Sequence, residues 1–184
     1  MGLVAGAATD LAALPVLTNS PWTGPVPVGF WNSCPQGMGM VGGGMGAFIG
    51  RIHRMAAGLD NHIELVSGCF SSNRAQSLHA GKELGLPQDR IYGTYRDMMR
   101  KEGKMPDDMR LDFVTIVTPN NMHYPISMAA LENGFHVMCD RPMTITLDEA
   151  TNLAKKLKQA GKLFCLTHNY TGYPMVKQAR ELVR

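Results

Sequence analysis

The chain has 184 residues, 45% apolar and 18% charged, with a net charge of +3. That length suits one domain with a real core, and a small basic excess without a run of five like charges leaves no footprint for nucleic acid or an acidic membrane surface. No stretch reaches the roughly 18 uninterrupted apolar residues of a membrane span, and Cys34, Cys69, Cys139 and Cys165 lack the close spacing of a zinc site or redox dithiol, so they read as small buried hydrophobes in a reducing, cytoplasmic setting, with no metal expected.

In chain order, residues 1–36 come first. They are rich in Pro, Gly, Ser and Asn, hold both tryptophans and show no useful periodicity, so an irregular or disordered leader is expected. The start is mildly apolar but has no basic n-region and is interrupted by Asp10, unlike a signal peptide. From 37 to 184, apolar strand-like runs at 38–42, 63–70, 112–118, 135–139 and 162–168 alternate with helix-length segments. The helices are expected near 46–58, 73–84, 94–102, 122–133, 147–160 and 173–184. Pro35 and Gly37 stand where the first strand should begin, which predicts a short or frayed start. The strands are apolar on both faces, as when helices cover both sides of a parallel sheet. Gly134 and Gly161 punctuate helix ends, and Thr146 with Glu149 has capping-box spacing. Right-handed crossovers then favour an α/β fold: a Rossmann-type, doubly wound, mainly parallel sheet with helices on both faces.

The stretch "MGMVGGGMGAFIG" (38–50) fits G-x-G-x-x-[GA] at the first βα junction, through Gly42, Gly44 and Ala47, with Met45 and Gly46 inside the turn. Gly42 permits the tight turn, Gly44 lets backbone approach a pyrophosphate, and small Ala47 lets helix and strand pack. The helix N-terminus then faces the phosphates with unpaired N–H groups and a partial positive charge. A merely tight-turning glycine cluster is the alternative. An acid about 20 residues on usually holds the ribose diol. Asp60 has that spacing but precedes the second strand, which ends instead in "CFSSNR". Ser71, Ser72, Asn73 and Arg74 suit a 2′-phosphate better than a bare diol, leaning towards NADP over NAD. The alternative is a solvated Ser/Asn turn that caps the next helix.

Further along come "TPNNMH" (118–123), "GFHVMCDRP" (134–142) and "LTHNYTGYP" (166–174). With "GGGMGA", the first two of these resemble, in order, the Gfo/Idh/MocA oxidoreductases, the family of glucose-fructose oxidoreductase and inositol 2-dehydrogenase. The resemblance runs from 38 to about 184 and implies the NAD(P)-binding half, 37–184. The family's C-terminal α+β domain, which shapes the sugar pocket and usually supplies an Asp and a His, has no counterpart in this sequence. The segment "VKQARELVR" is expected at the junction to it.

The resemblance places Thr118, Pro119, Asn120 and His123 on the nucleotide side, His123 having a helix-start backbone bond as its alternative reading. It places Asp140, Arg141 and Pro142 beside the nicotinamide ribose, where the family writes Glu-Lys-Pro or Asp-Lys-Pro. A lysine there can share in acid-base work. The guanidinium of Arg141 stays protonated, so it can donate to a ribose or developing alkoxide but cannot act as a base. Asn169 and Tyr170, with His168 and Tyr173, end the last strand on the ligand-binding side of such sheets and are candidates for the substrate side. His53, His62, His79 and His136 have no metal-ligand spacing and read as surface or core residues.

The function implied is hydride transfer between a sugar, cyclitol or related polyol and the nicotinamide. The rival is a non-catalytic dinucleotide-binding or interaction module, or an inactive fragment. Homo-oligomerisation through the surface facing the second domain is a further expectation.

Overall fold

Five strands form one sheet in the computed structural model, which describes residues 35–183. They are β1 (Gln36–Gly42), β2 (Ile63–Cys69), β3 (Phe113–Val117), β4 (His136–Cys139) and β5 (Phe164–Leu166), in the order β2-β1-β3-β4-β5 with every neighbouring pair parallel. A parallel bridge from Gly68 to Ile91 extends the edge beyond β2. The chain runs outward from β1 to β2 and Ile91, then returns across the sheet to β3, so the strand order reverses between β1 and β3. The helices are α1 (Phe48–Ala57), α2 (Arg74–Glu83), α3 (Tyr95–Glu102), α4 (His123–Glu132), α5 (Leu147–Ala160) and α6 (Pro174–Leu182). Of the leader expected over 1–36, residues 1–34, including Cys34, lie outside the described residues, and Gln36 already belongs to β1.

Two separate cores show how the sheet is covered. Met38, Met40, Phe70, Ala80 and Val117 join Ile49 and Ala57 under α1 and α2. Val41, Met98, Ile116, Ile126, Leu131 and Leu153 form the larger core under α3, α4 and α5. The period-2 alternation of strand side chains explains the division, Met40 facing one layer and Val41 the other. Right-handed crossovers explain the layers, since outward and returning connections must lie on opposite faces. In α6 no residue is buried, and Met175 and Leu182 are exposed.

Two expectations are corrected. The first strand is neither short nor frayed: β1 has seven residues and lies between β2 and β3. Gly37 donates its N–H to Asp112 Oδ2 at 2.7 Å, and a Cβ at Gly39 would meet Leu111 Cδ1 and Met98 Cε at 2.5 Å, so the glycine lets the larger core close against the strand. Cys165 is exposed on edge strand β5, whereas Cys69 and Cys139 are buried and their thiols are pushed up by burial to about 11 and about 12. At those positions the reactive thiolate is disfavoured. Buried Gly50 also lets the first helix pack tightly on the glycine turn, since a Cβ there would meet Gly43 Cα at 2.4 Å.

At the far edge, Leu163 donates its N–H to His136 Nδ1 at 2.9 Å, which requires that nitrogen to be unprotonated. Burial, then the charge of Lys162, hold His136 below the ordinary histidine range, against an opposing pull from Asp112. Burial also lowers His53, opposed by Asp140. The folded state therefore binds fewer protons than the unfolded chain just below the ordinary histidine value of about 6.5. The stability these rings allow is full above that value and is lost as pH falls towards the lowered folded values. The thermal midpoint followed by circular dichroism should fall between about pH 7 and pH 5, with a shallower slope in His136→Asn. An unchanged slope in the variant would exclude His136 as a source.

Candidate functional site

Because all five strands are parallel, their carboxyl ends lie on one edge of the sheet. The turns after β1, β2 and β3 meet there around a cleft of about 760 Å³, where the strand order reverses. Open parallel sheets bind ligands at such switch points.

The turn after β1 contributes Gly42, Gly43, Gly44, Met45 and Ala47. Gly42 has φ +86°, and a Cβ there would stand 2.6 Å from the Val117 carbonyl oxygen, so the left-handed turn and the close approach to β3 both require glycine. A Cβ at Gly44 would lie 2.7 Å from the Phe70 carbonyl oxygen. Gly46, also singled out by the sequence, has φ +80° but points into open space and does not line the cleft. Arg54 of α1 reaches back to donate to the Gly43 carbonyl at 2.8 Å, fixing the far side of the turn.

Helix α1 starts in this turn without a side-chain cap: Ala47 occupies the N-cap and the first turn holds no acid. By contrast, Asn73 caps α2 by accepting from Ala75 N and Gln76 N, and Thr146 with Glu149 forms the expected capping box on α5. The uncapped α1 terminus keeps N–H groups and the positive end of the helix dipole available to an anion. Across the cleft, Thr118 lines the opposite wall, with its Oγ1 turned into the protein and without a hydrogen-bond partner among the described residues. Glycine cradle and free helix terminus together fit a pyrophosphate-bearing nucleotide.

At the end of β2, Ser71 and Ser72 line the cleft, and Ser71 Oγ donates to Gln76 Oε1 at 3.0 Å. Arg74 does not line it; its aliphatic carbons lie against Gly93. The Ser/Asn turn therefore has both of its sequence readings at once, Asn73 capping α2 while the two serines face the cleft. From the end of β3, Thr118, Pro119 and Asn121 line the cleft, whereas Asn120 does not.

His123 is 1% exposed and its ring nitrogens lie 2.6 Å from the Pro142 carbonyl oxygen and 2.9 Å from that of Thr118. It ties the turn after β3 to the turn after β4 and has no surface in the cleft. Its neighbours along the rim are Asp140, which accepts from Thr167 Oγ1 at 2.8 Å, and exposed Arg141, whose guanidinium sits 5.0 Å over the Tyr170 ring. Tyr170 meets Tyr173 edge-on at 5.7 Å. Asp140, Arg141, Pro142, Asn169 and Tyr170 thus stand at the same sheet edge, beside the cleft and outside its walls.

Sequence reasoning missed Gly43, Gln76, His79, Tyr95, Met122 and Ile126, all of which line the cleft. Gln76 and His79 carried a usable signal, being three apart on a helix and so on one face. Tyr95 and Ile126 lie on α3 and α4, and nothing local connects them to the glycine turn. Among the described residues, no group of three His, Cys, Asp or Glu side chains converges to hold a metal ion, and no helix is long and apolar enough to cross a membrane.

With this geometry in view, comparison with known proteins is informative. Residues 37–170 match the profile of an oxidoreductase family with an NAD-binding Rossmann fold. The oxidoreductase YfiI of Bacillus subtilis is 34% identical over 152 residues, covering 82% of this chain and 38% of its own length. A D-xylose 1-dehydrogenase (NADP+) of Haloferax volcanii is 33% identical, over 61% of this chain and 32% of its own. Among solved structures, an oxidoreductase from Sinorhizobium meliloti has 47% identity and TM-score 0.74, over 82% of this chain and 41% of its own. An inositol dehydrogenase homologue from Azotobacter vinelandii, complexed with NADH and myo-inositol, has 36% identity and TM-score 0.76, over 82% and 39%. The chain spans about a third to two fifths of the length of these relatives.

Proposed function

Since this chain belongs to the Gfo/Idh/MocA oxidoreductases and spans their NAD-binding Rossmann domain, we propose that it is the dinucleotide-binding half of an NAD(P)-dependent sugar or polyol dehydrogenase, leaning towards NADP. The observation that carries this reading is the convergence of the glycine turn, the serine pair and the Thr-Pro turn on one cleft at the switch point. Gly42, Gly44 and the uncapped start of α1 receive the pyrophosphate. Ser71 and Ser72 meet the adenosine ribose. Thr118 and Pro119 form the opposite wall, which His123 braces from behind.

The nicotinamide supplies a two-electron acceptor for the hydride leaving a carbinol carbon of the substrate, while the hydroxyl proton goes to a base. In this half of the enzyme Arg141 is placed at the nicotinamide side with Asp140 and Pro142. A guanidinium there orients a ribose or a developing alkoxide and takes no proton. Its stacking on Tyr170 supports a held, donating arginine, with Asn169 and Tyr170 towards the substrate. Sugar and cyclitol substrates are supported by the relatives named for D-xylose and complexed with myo-inositol.

One observation favours a second reading, a non-catalytic dinucleotide-binding module: Arg141 occupies the position where the family carries lysine. In either case the 184-residue chain is expected to bind dinucleotide saturably and to turn over no sugar, because water exclusion and the proton acceptor belong to the rest of the enzyme. Calorimetric titration with NADP and NAD, followed by absorbance assays over a panel of sugars and inositols, checks both parts. A folded chain that binds neither cofactor would refute the binding function, and a rate above background would refute the division of labour.

A further inference from the structure

We infer that His79 holds the 2′-phosphate of NADP and so sets the choice between the two cofactors, an inference that rests on the dinucleotide-binding function proposed above. In a glycine-fingerprint site the adenosine ribose is held at the end of the second strand, where an acid selects the free diol. At the corresponding place this cleft offers Ser71 and Ser72, and among the described residues no Asp, Glu, Lys or Arg lines any part of it. Beyond the serines the same wall continues through Gln76, which accepts from Ser71 Oγ at 3.0 Å, to His79, three residues on and on the same face of α2.

His79 is exposed and makes no hydrogen bond or ion pair with another described residue, so its N–H is available to an incoming oxygen. Its imidazole N–H can donate to a phosphate oxygen, and among the described residues no other imidazole, and no ammonium or guanidinium, lines the cleft. Arg74, the residue that sequence favours for this task, is occupied along Gly93 and stands outside the cleft.

The test is a calorimetric titration of the full 184-residue chain with NADP and with NAD, as wild type, His79→Ala and His79→Gln. His79→Ala should weaken NADP about tenfold and change NAD by less than about twofold, with His79→Gln recovering part of the loss through its amide donor. Equal weakening of both cofactors would put His79 against a part they share and would overturn the inference, as would unchanged NADP affinity. Wild-type binding of NAD without NADP would overturn it too, while leaving the dinucleotide site standing. Binding of neither would remove both. Melting curves of the variants matching wild type would show that the loss is local, as expected for an exposed residue, and two variants with the same cofactor pattern exclude a folding artefact.

Discussion

Gly44→Ala is expected to weaken dinucleotide binding by tenfold to about a hundredfold, with a smaller loss of thermal stability. The added Cβ would stand 2.7 Å from the Phe70 carbonyl oxygen. Phe70 cannot yield easily: its N–H is held by Ser77 Oγ at 2.9 Å, Ser77 Oγ in turn donates to the Tyr92 carbonyl at 2.7 Å, and the ring is buried. The glycine turn must therefore shift into the cleft, carrying with it the N–H groups that a pyrophosphate would use. Overpacking of this kind costs about 1–3 kcal/mol, most of it expressed as lost binding. Calorimetry with the better-bound cofactor measures the effect. Gly172→Ala is the matched control, since a Cβ there meets nothing within 4 Å and its φ lies outside the left-handed range. Wild-type affinity in Gly44→Ala would exclude the close-approach role of this turn.

The largest loss of stability is expected from Glu102→Ala. Glu102 is fully buried and accepts two bonds from Arg90, at 2.9 and 2.7 Å, and a third from the Tyr92 hydroxyl at 2.9 Å. Burial and the neighbouring carboxylate push the Tyr92 hydroxyl well above the usual phenol range, so it remains a donor. Arg90 also donates to the Met109 carbonyl at 3.2 Å, so one ion pair joins the segment before the Ile91 bridge, helix α3 and the approach to β3. Removing the carboxylate leaves a buried guanidinium and a hydroxyl unpaired, which costs about 3–5 kcal/mol. For a chain of this size that is roughly 10 °C in the thermal midpoint. Replacing both charges by apolar groups of similar volume, Arg90→Met with Glu102→Leu, should return most of the loss, because the cost lies in the orphaned charge more than in the missing attraction. A double variant as unstable as Glu102→Ala would refute that account. Tyr95, at the start of α3, lines the cleft, so the single variant should also loosen its far wall.

Much of the architecture was legible in the sequence because it follows from short-range physics. Apolar runs of four to eight residues alternating with helix-length segments dictate the βα order, and all five strands and six helices stand within a few residues of expectation. Gly134 and Gly161 take positive φ, and Thr146 caps with Glu149, since these devices act over three or four residues. The glycine spacing at the first βα junction is equally local as a signal, although the atoms that crowd Gly42 and Gly44 are the carbonyl oxygens of Val117 and Phe70, from β3 and the end of β2.

What only the tertiary structure decided is which side chains meet. Periodicity tells a residue which face of its own element it occupies, whereas the neighbour opposite that face is chosen by crossover handedness and by packing between segments dozens of residues apart. So His79, unremarkable in the sequence, lines the same cleft as the glycine turn, and Arg74, five residues earlier, turns away along Gly93. His123 turns inward because two carbonyl oxygens, from Thr118 and Pro142, converge on a buried ring. Gly50 supplies a close helix contact outside the fingerprint, because one helical turn beyond Ala47 brings it onto Gly43. The sequence by itself determined the elements, their order and the phosphate turn. Long-range packing decided the walls of the cleft, because each wall is built from residues that have no local reason to be together.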